Sequence, residues 1–323
     1  MSDPNKNQIF IGIDTSCYTS SAACVCIDGI LADKRRLLSV KLGDRGLRQS
    51  DGVFQHTRNM IELMPELLNG IDADRLGGIG VSIRPSGREN SYMPVFLVGK
   101  LLAETVGASR GVPVFGFTHQ QGHIRAALMG NEELISKPFY AFHLSGGTSD
   151  LLAVDEALNV ERIGGSSDIN AGQLVDRIGV KLGLSFPAGK QLEKLALKAG
   201  ERGVLLPSSV NGLEFSFSGA ETKAAQAVEN GESPERTALS VFDLIARTLA
   251  KAVENAAEHS KERASFLFAG GVASSSLLRR LLSERLRGSN ARLFFSRPEL
   301  SSDNAVGAAL LCMDKMIENN GQN

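Results

Sequence analysis

A strand, a turn of small polar residues and a returning strand occur twice in this chain, and that repetition limits the folds open to it. Ile9 to Ile13 is an apolar run and Ala22 to Ile27 a second; the residues between them, Asp14 to Ser20, are almost all small and hydroxylated. Asp28-Gly29 supplies a tight hairpin turn into a third strand from Ile30. The layout returns further along. Phe139 to Leu144 is a strand, Ser145 to Ser149 a small polar loop, and Leu151 to Val154 the returning strand. The repeat is one of layout and not of identity.

After each hairpin the chain alternates helical and strand patterns, which predicts mixed sheets flanked by helices. In the first half Thr57 to Leu68 and Val95 to Ser109 read as helices, and Ile79 to Ile83 and Val114 to Phe117 as strands. In the second half Asn170 to Leu182, Gln191 to Ala199 and Pro234 to His259 read as helices. Phe266 to Ala269 then forms a strand ending in Gly270-Gly271, a helix runs through Leu277 to Leu286, Leu293 to Ser296 is a last strand, and a closing helix begins near Asn304. With 323 residues, two domains are expected. The boundary falls near Lys137-Pro138, giving a first lobe over 1–137 joined by a C-terminal helix from 297–323, a second lobe over 138–296, and a nucleotide cleft between them.

Composition removes several function classes. The polar start, MSDPNKNQ, runs straight into IFIGID, so no signal peptide is expected, and no stretch reaches the length of a membrane span. Cys17, Cys24, Cys26 and Cys312 are too few and too irregular for a disulfide framework or paired zinc ligands, and read as reduced thiols of a cytoplasmic protein. A formal net charge of −1 argues against a stand-alone nucleic-acid binder. Two local basic clusters read as solvated faces: Lys34, Arg35, Arg36, Lys41, Arg45 and Arg48, and then Arg279, Arg280, Arg285 and Arg287 on one helix.

Three loops can bring backbone N–H groups to an anion: Asp14 to Ser20, Ser145 to Ser149, and Gly270 to Ser276 ahead of a helix. Singly, each reads as an ordinary turn. Two in repeated hairpins, with a Gly-Gly helix entry, converge on a nucleotide held by duplicated lobes. That arrangement is the actin-like ATPase fold of sugar kinases, heat-shock chaperones and actin, an α/β fold with a mixed, RNase H-like sheet in each lobe. A phosphate-binding P-loop is excluded, since Gly183 to Lys190 has the wrong spacing and is followed by Gln191 where Ser or Thr must ligate magnesium. Two of the five histidines, His119 and His123, are four apart in FTHQQGHIRAAL. On a helix that spacing shares one face and can share one metal ion; off a helix the pair is only surface polarity. Asp303, in SSDNAVGAAL, is the best third ligand. His56, His143 and His259 show no partner pattern. HQQGH lacks the glutamate that a zinc protease needs between its histidines.

In order, GIDTS, HQQGH, LSGGTSD, the Asp176 helix followed by FPAG, FSFSGAETKA, AGGVASSSLLRRL and SSDNAVGAAL span nearly the whole chain. This set resembles the TsaD family of tRNA threonylcarbamoyltransferases, once described as glycoprotease-like. The resemblance implies transfer of a threonylcarbamoyl group from threonylcarbamoyl-AMP to the adenosine beside the anticodon of tRNA, with release of AMP. It implies one divalent metal ion, iron or zinc, on His119, His123 and Asp303, which would also be the catalytic residues. Thr15, Ser16, Ser145, Gly146, Gly147, Thr148, Asp176, Gly189, Gly271 and Ser275 would hold an adenine nucleotide or threonylcarbamoyl-AMP. Implied partners are tRNA, a smaller similarly folded TsaB-like chain and a TsaE-like P-loop ATPase, with a homodimer or heterodimer formed through the first lobe and no membrane.

The chain departs from the family pattern at Tyr18 and Thr19, where relatives carry an acidic pair, at Thr148, where they carry His, and at Ser275, where they carry Asn. The Gly-rich stretch of relatives is replaced by RPSGRENSYMP, in which Arg84, Arg88 and Glu89 are charged. Two functions stay open on this reading: a TsaD-like transferase, and a divergent paralogue that binds nucleotide and metal but serves another acceptor or acts as a non-catalytic partner.

Overall fold

The computed structural model describes residues 8–16, 18–40, 47–87, 91–258, 260 and 262–321. Cys17, Lys41, Arg45, Arg88, Glu89 and His259 lie outside the described residues. Contacts divide the chain into two units, residues 1–126 with 302–323, and residues 127–301.

The first unit is built on a sheet of order β3-β2-β1-β4-β5. It comprises β1 (Ile9–Asp14), β2 (Thr19–Cys26), β3 (Gly29–Leu37), β4 (Leu76–Arg84) and β5 (Val114–Thr118). The first three strands form an antiparallel meander, and β4 and β5 then add in parallel beside β1. The β2–β3 turn falls on Ile27-Asp28, one residue earlier than expected, and Gly29 opens β3 with a φ of 132°. Alternation along β1 sends Ile9, Ile11 and Ile13 into an apolar core with Met60, Leu63 and Leu67 of α1 (Gln49–Leu68). Each such isoleucine contributes about 1.5–3 kcal/mol by leaving water. α2 (Phe96–Arg110) packs on β4, while α9 (Val306–Gly321) packs on β1, β2 and β4. That contact is close. A Cβ on Gly80 of β4 would stand 1.9 Å from the Ala308 carbonyl oxygen, so only glycine lets α9 settle there.

The second unit carries a seven-stranded sheet of order β12-β11-β6-β7-β8-β10-β9. Its strands are β6 (Phe139–Leu144), β7 (Ser149–Val154), β8 (Val160–Ser166), β9 (Ser209–Asn211), β10 (Glu214–Ser216), β11 (Ala264–Ala269) and β12 (Ala291–Phe295). The antiparallel run β8-β7-β6 continued in parallel by β11 and β12 repeats the order of the first sheet. Here α4 (Ala171–Lys181), α5 (Gly189–Ala196), α6 (Ser218–Glu229), α7 (Pro234–Ala257) and α8 (Ser276–Arg285) pack around a core centred on Phe142, Phe242, Phe266 and Phe268. Among the described residues, no helix is long and apolar enough to cross a membrane.

β8, β9, β10 and α6 were not anticipated from the sequence, and α1 starts eight residues ahead of Thr57. Arg48, at its N-cap, makes no side-chain capping bond, so the helix begins without a local signal. For α6 the cap comes from afar: Asp168 accepts the N–H groups of Phe217 and Ser218 at 2.9 and 3.1 Å.

Candidate metal centre and small-residue loops

The strand β5 passes directly into α3 (His119–Ala127) through a local signal, Thr118-His119-Gln120-Gln121. Thr118 Oγ1 accepts the Gln121 N–H at 3.1 Å and Gln121 Oε1 accepts the Thr118 N–H at 3.0 Å, a reciprocal capping box. The helix therefore starts at His119, and His123 stands one turn later on the same face. Opposite them, α9 runs so close that a Cβ on Gly307 would lie 1.8 Å from the Gly122 carbonyl oxygen. This contact brings Asp303, just ahead of α9, to the two histidines.

The three donor atoms converge. His119 Nε2 lies 3.0 Å from His123 Nε2 and 3.5 Å from Asp303 Oδ1, and His123 Nε2 lies 3.2 Å from the same oxygen. Two donors each ~2.1 Å from a tetrahedral cation stand about 3.4 Å apart, so the set fits one divalent ion. Among the described residues, this is the one group of three His, Cys, Asp or Glu side chains with ligand atoms so gathered. Two imidazoles and a carboxylate suit zinc or ferrous iron. His119 and His123 are buried, and the Asp303 side chain is about a quarter exposed.

Asp14 was not among the predicted site residues, yet it organises the centre. It is buried at the end of β1, on the face that β1 turns towards α9, and its Oδ2 accepts from His119 Nδ1 at 2.7 Å. Ser82 Oγ donates to that oxygen too, and the Ser16 N–H donates to Oδ1 at 2.8 Å. A carboxylate on Nδ1 directs the Nε2 lone pair of His119 at a metal. The signal was present in GIDTS as the one acidic residue of the first small-residue loop. Burial alone would lower the His119 pKa, but the Asp14 charge and the hydrogen bonds to Asp14 and Asp303 hold it well above the usual histidine range. His123 moves the other way, since burial and the neighbouring His119 charge both favour its neutral ring. Burial would raise both acids. Asp14 is instead held low by the charge and hydrogen bond of His119 with help from Ser16 and Ser82, and Asp303 is held well below its usual range by its bonds to both histidines.

Of the other predicted residues in this unit, Ser16 is buried with Oγ 3.4 Å from His119 Nε2. Thr15 instead clasps the start of α2, donating to the Val95 carbonyl at 2.9 Å and accepting the Gly99 N–H at 3.1 Å. Tyr18 is 44% exposed.

In the second unit the Ser145–Thr148 turn is closed by the Ser145 N–H donating to the Thr148 carbonyl at 2.7 Å, and the Ser145 carbonyl accepts the Gly172 N–H of α4 at 3.2 Å. Added Cβ atoms on Gly146, Gly147 and Gly271 would meet nothing within 4 Å, so their small size serves no internal packing. The tight glycine of that pair is Gly270, with φ of 95° and a Cβ position 2.3 Å from the Leu144 carbonyl oxygen. Asp176 accepts the Ala188 N–H at 2.8 Å, one residue before Gly189 opens α5, and burial pushes its carboxyl up. Ser275 Oγ accepts the Leu278 N–H at 3.1 Å and caps α8. Glu193, which the sequence did not single out, joins α5 to α8 by accepting from Ser276 Oγ and the Leu277 N–H at 2.8 and 2.9 Å.

The chain matches a sequence model described as "TsaD: tRNA N6-adenosine threonylcarbamoyltransferase" over residues 52–310. A tRNA N6-adenosine threonylcarbamoyltransferase of Neorickettsia sennetsu is 26% identical over 324 residues, covering 96% of this chain and 94% of that one. Solved structures with the same fold include the activator of 2-hydroxyisocaproyl-CoA dehydratase from Clostridium difficile, at 14% identity and TM-score 0.58, covering 98% of both chains. A ROK family glucokinase from Streptomyces griseus follows at 14% identity and TM-score 0.55, covering 95% of this chain and 99% of that one. HypF of T. kodakarensis matches at 16% identity and TM-score 0.63, over 98% of this chain and 48% of its own. These structural likenesses place the chain in the actin-like ATPase fold.

Proposed function

We propose that this chain, which belongs to the TsaD family, transfers a threonylcarbamoyl group from threonylcarbamoyl-AMP to an adenosine of tRNA. The observation that carries this reading is the convergence of His119, His123 and Asp303 within one cation's reach, held by Asp14. A divalent ion held by His119, His123 and Asp303 would supply a Lewis acid, the chemistry that offsets negative charge on a carbonyl oxygen as an amine adds. The chain's own groups keep those donors fixed. Asp14 holds the proton on His119 Nδ1, Ser82 and Ser16 hold Asp14, and the contact of Gly307 with α3 keeps Asp303 in register with the two rings. Attack by the exocyclic amine forms the new C–N bond, the C–O bond between the carbamoyl carbon and the phosphate oxygen breaks, AMP leaves with that electron pair, and the amine gives up one proton to the departing phosphate or to water. The Ser145–Thr148 turn, Asp176, Gly189 and Gly271 support an adenylate donor, since Gly146, Gly147 and Gly271 leave the backbone open to a phosphate and Asp176 offers a carboxylate to a sugar hydroxyl.

The test is complementation in cells lacking their own threonylcarbamoyltransferase, read by mass spectrometry of tRNA nucleosides. Restored threonylcarbamoyladenosine with this chain, and its loss with His119→Ala or His123→Ala, is expected. Its absence at good expression overturns the reading in favour of a paralogue with another acceptor, the alternative that exposed Tyr18 and the Thr148 and Ser275 substitutions favour.

A further inference from the structure

The arginine-rich helix noted in the sequence is not a uniformly solvated face. Between Arg263 and Arg297 the chain carries seven arginines, no lysine and one acidic residue, Glu284, although its overall net charge is −1. One of these seven, Arg285, is directed to a point in the second unit where two arginines from earlier in the chain also gather. Asp243, in the middle of α7 and only 6% exposed, meets three guanidinium groups from three segments. Arg202, between α5 and β9, approaches it with Nη1 at 3.3 Å, Arg247 of α7 with Nε at 3.0 Å, and Arg285 at the end of α8 hydrogen-bonds its other oxygen. Arg247 is further fixed by donating to the Leu206 carbonyl at 2.7 Å. Three positive charges and one negative leave a surplus of two, and among the described residues no second carboxylate pairs with any of the three.

One arginine neutralises one buried carboxylate. Each further cation gathered on the same group repels those already there, and that cost is offset only by solvent or by an anion. The three side chains remain partly open, at 48% for Arg202, 22% for Arg247 and 30% for Arg285, so an incoming anion can reach them. Three planar forks preset by a shared carboxylate match the oxygens of a phosphate.

We propose that Arg202, Arg247 and Arg285, organised by Asp243, form a binding site for a phosphodiester of the RNA backbone. The site positions RNA without reading bases. This inference rests on the tRNA-directed reading above, and goes beyond it in assigning an RNA contact to the second unit.

The test measures binding of an unmodified tRNA transcript by fluorescence anisotropy over a series of salt concentrations, with Arg202→Gln, Arg285→Gln and, as a control on the first unit, Arg110→Gln. Each site variant is expected to weaken binding by about 3- to 10-fold at moderate salt and to lower the log–log salt slope by about one, while Arg110→Gln changes neither. Arg202 is the most exposed of the three and its loss leaves Asp243 paired, so Arg202→Gln is expected to fold and melt as the parent does. Inorganic phosphate in a parallel arm is expected to shift tRNA binding no more than chloride at equal ionic strength. Site variants with parental affinity and slope overturn the proposal, as does inorganic phosphate displacing tRNA stoichiometrically. If the parent chain modifies tRNA in cells while the variants bind equally well, only this inference falls; if the parent binds no RNA at any salt, both it and the proposed function fall.

Discussion

At His119 two opposing influences act on one imidazole, since burial disfavours its charge while Asp14 and Asp303 favour it, and the acids prevail. An ordinary histidine titrates near 6.5. A folded value raised above that gives stability to the metal-free protein that is fully present below about pH 6.5 and is lost as pH climbs through the raised value. Asp14 and Asp303, held low, act in the opposite sense and lose their contribution only as pH falls through their depressed values. Denaturant titrations of chelated protein between pH 6 and 9 are thus expected to show falling stability, with a flatter profile for His119→Gln. A cation must also displace the His119 proton, so its affinity is expected to rise over the same range. Asp14→Asn keeps the shape but removes the charge behind Nδ1, and is expected to weaken metal binding about 10- to 100-fold in competition with a chromogenic chelator. Unchanged affinity would reduce Asp14 to a packing role.

Among the elements, the joint between α3 and α9 decides whether the three donors meet. Gly307→Ala puts a methyl group where the Gly122 carbonyl stands, and overpacking of this kind costs about 1–3 kcal/mol. The expected outcome is a lowered melting temperature together with weakened metal binding, because separating the helices carries Asp303 from the histidines. A variant that melts early but binds metal normally would show that the joint serves stability alone. The start of α3 was legible in Thr118-His119-Gln120-Gln121, a complete capping box. The start of α6 was not, because its cap, Asp168, lies about fifty residues earlier and meets the helix only after the sheet has formed.

For the whole molecule, the two sheets repeat one strand order, while the metal donors all belong to the unit formed by residues 1–126 and 302–323. Hydrogen exchange with and without zinc should therefore show added protection at the end of β1, in α3 and around residues 303–306, with β6, β7 and β11 unchanged. Protection spread evenly over both units, or none near α3, would contradict a centre built from this unit alone.

The hairpin with its small-residue turn was readable in the sequence twice over, because strand alternation and turn chemistry are local properties of neighbouring residues. The spacing of His119 and His123 was readable for the same reason: a helix converts four positions into one face. What no local pattern could supply was the company these residues keep. Asp303 stands 180 positions from His123 and Asp14 stands 105 from His119. The small-residue helix entry SSDNAVGAAL, and then resemblance to a family, suggested the first, and only the seating of α9 on β1 and β4 revealed the second. Likewise, the arginines of α8 were visible as charge, but the meeting of one of them, Arg285, with Arg202 and Arg247 on Asp243 depends on the packing of α7, α8 and the segment after α5. Side-chain chemistry is written along the chain, whereas the distances that turn it into a site are set by which glycines let the elements touch.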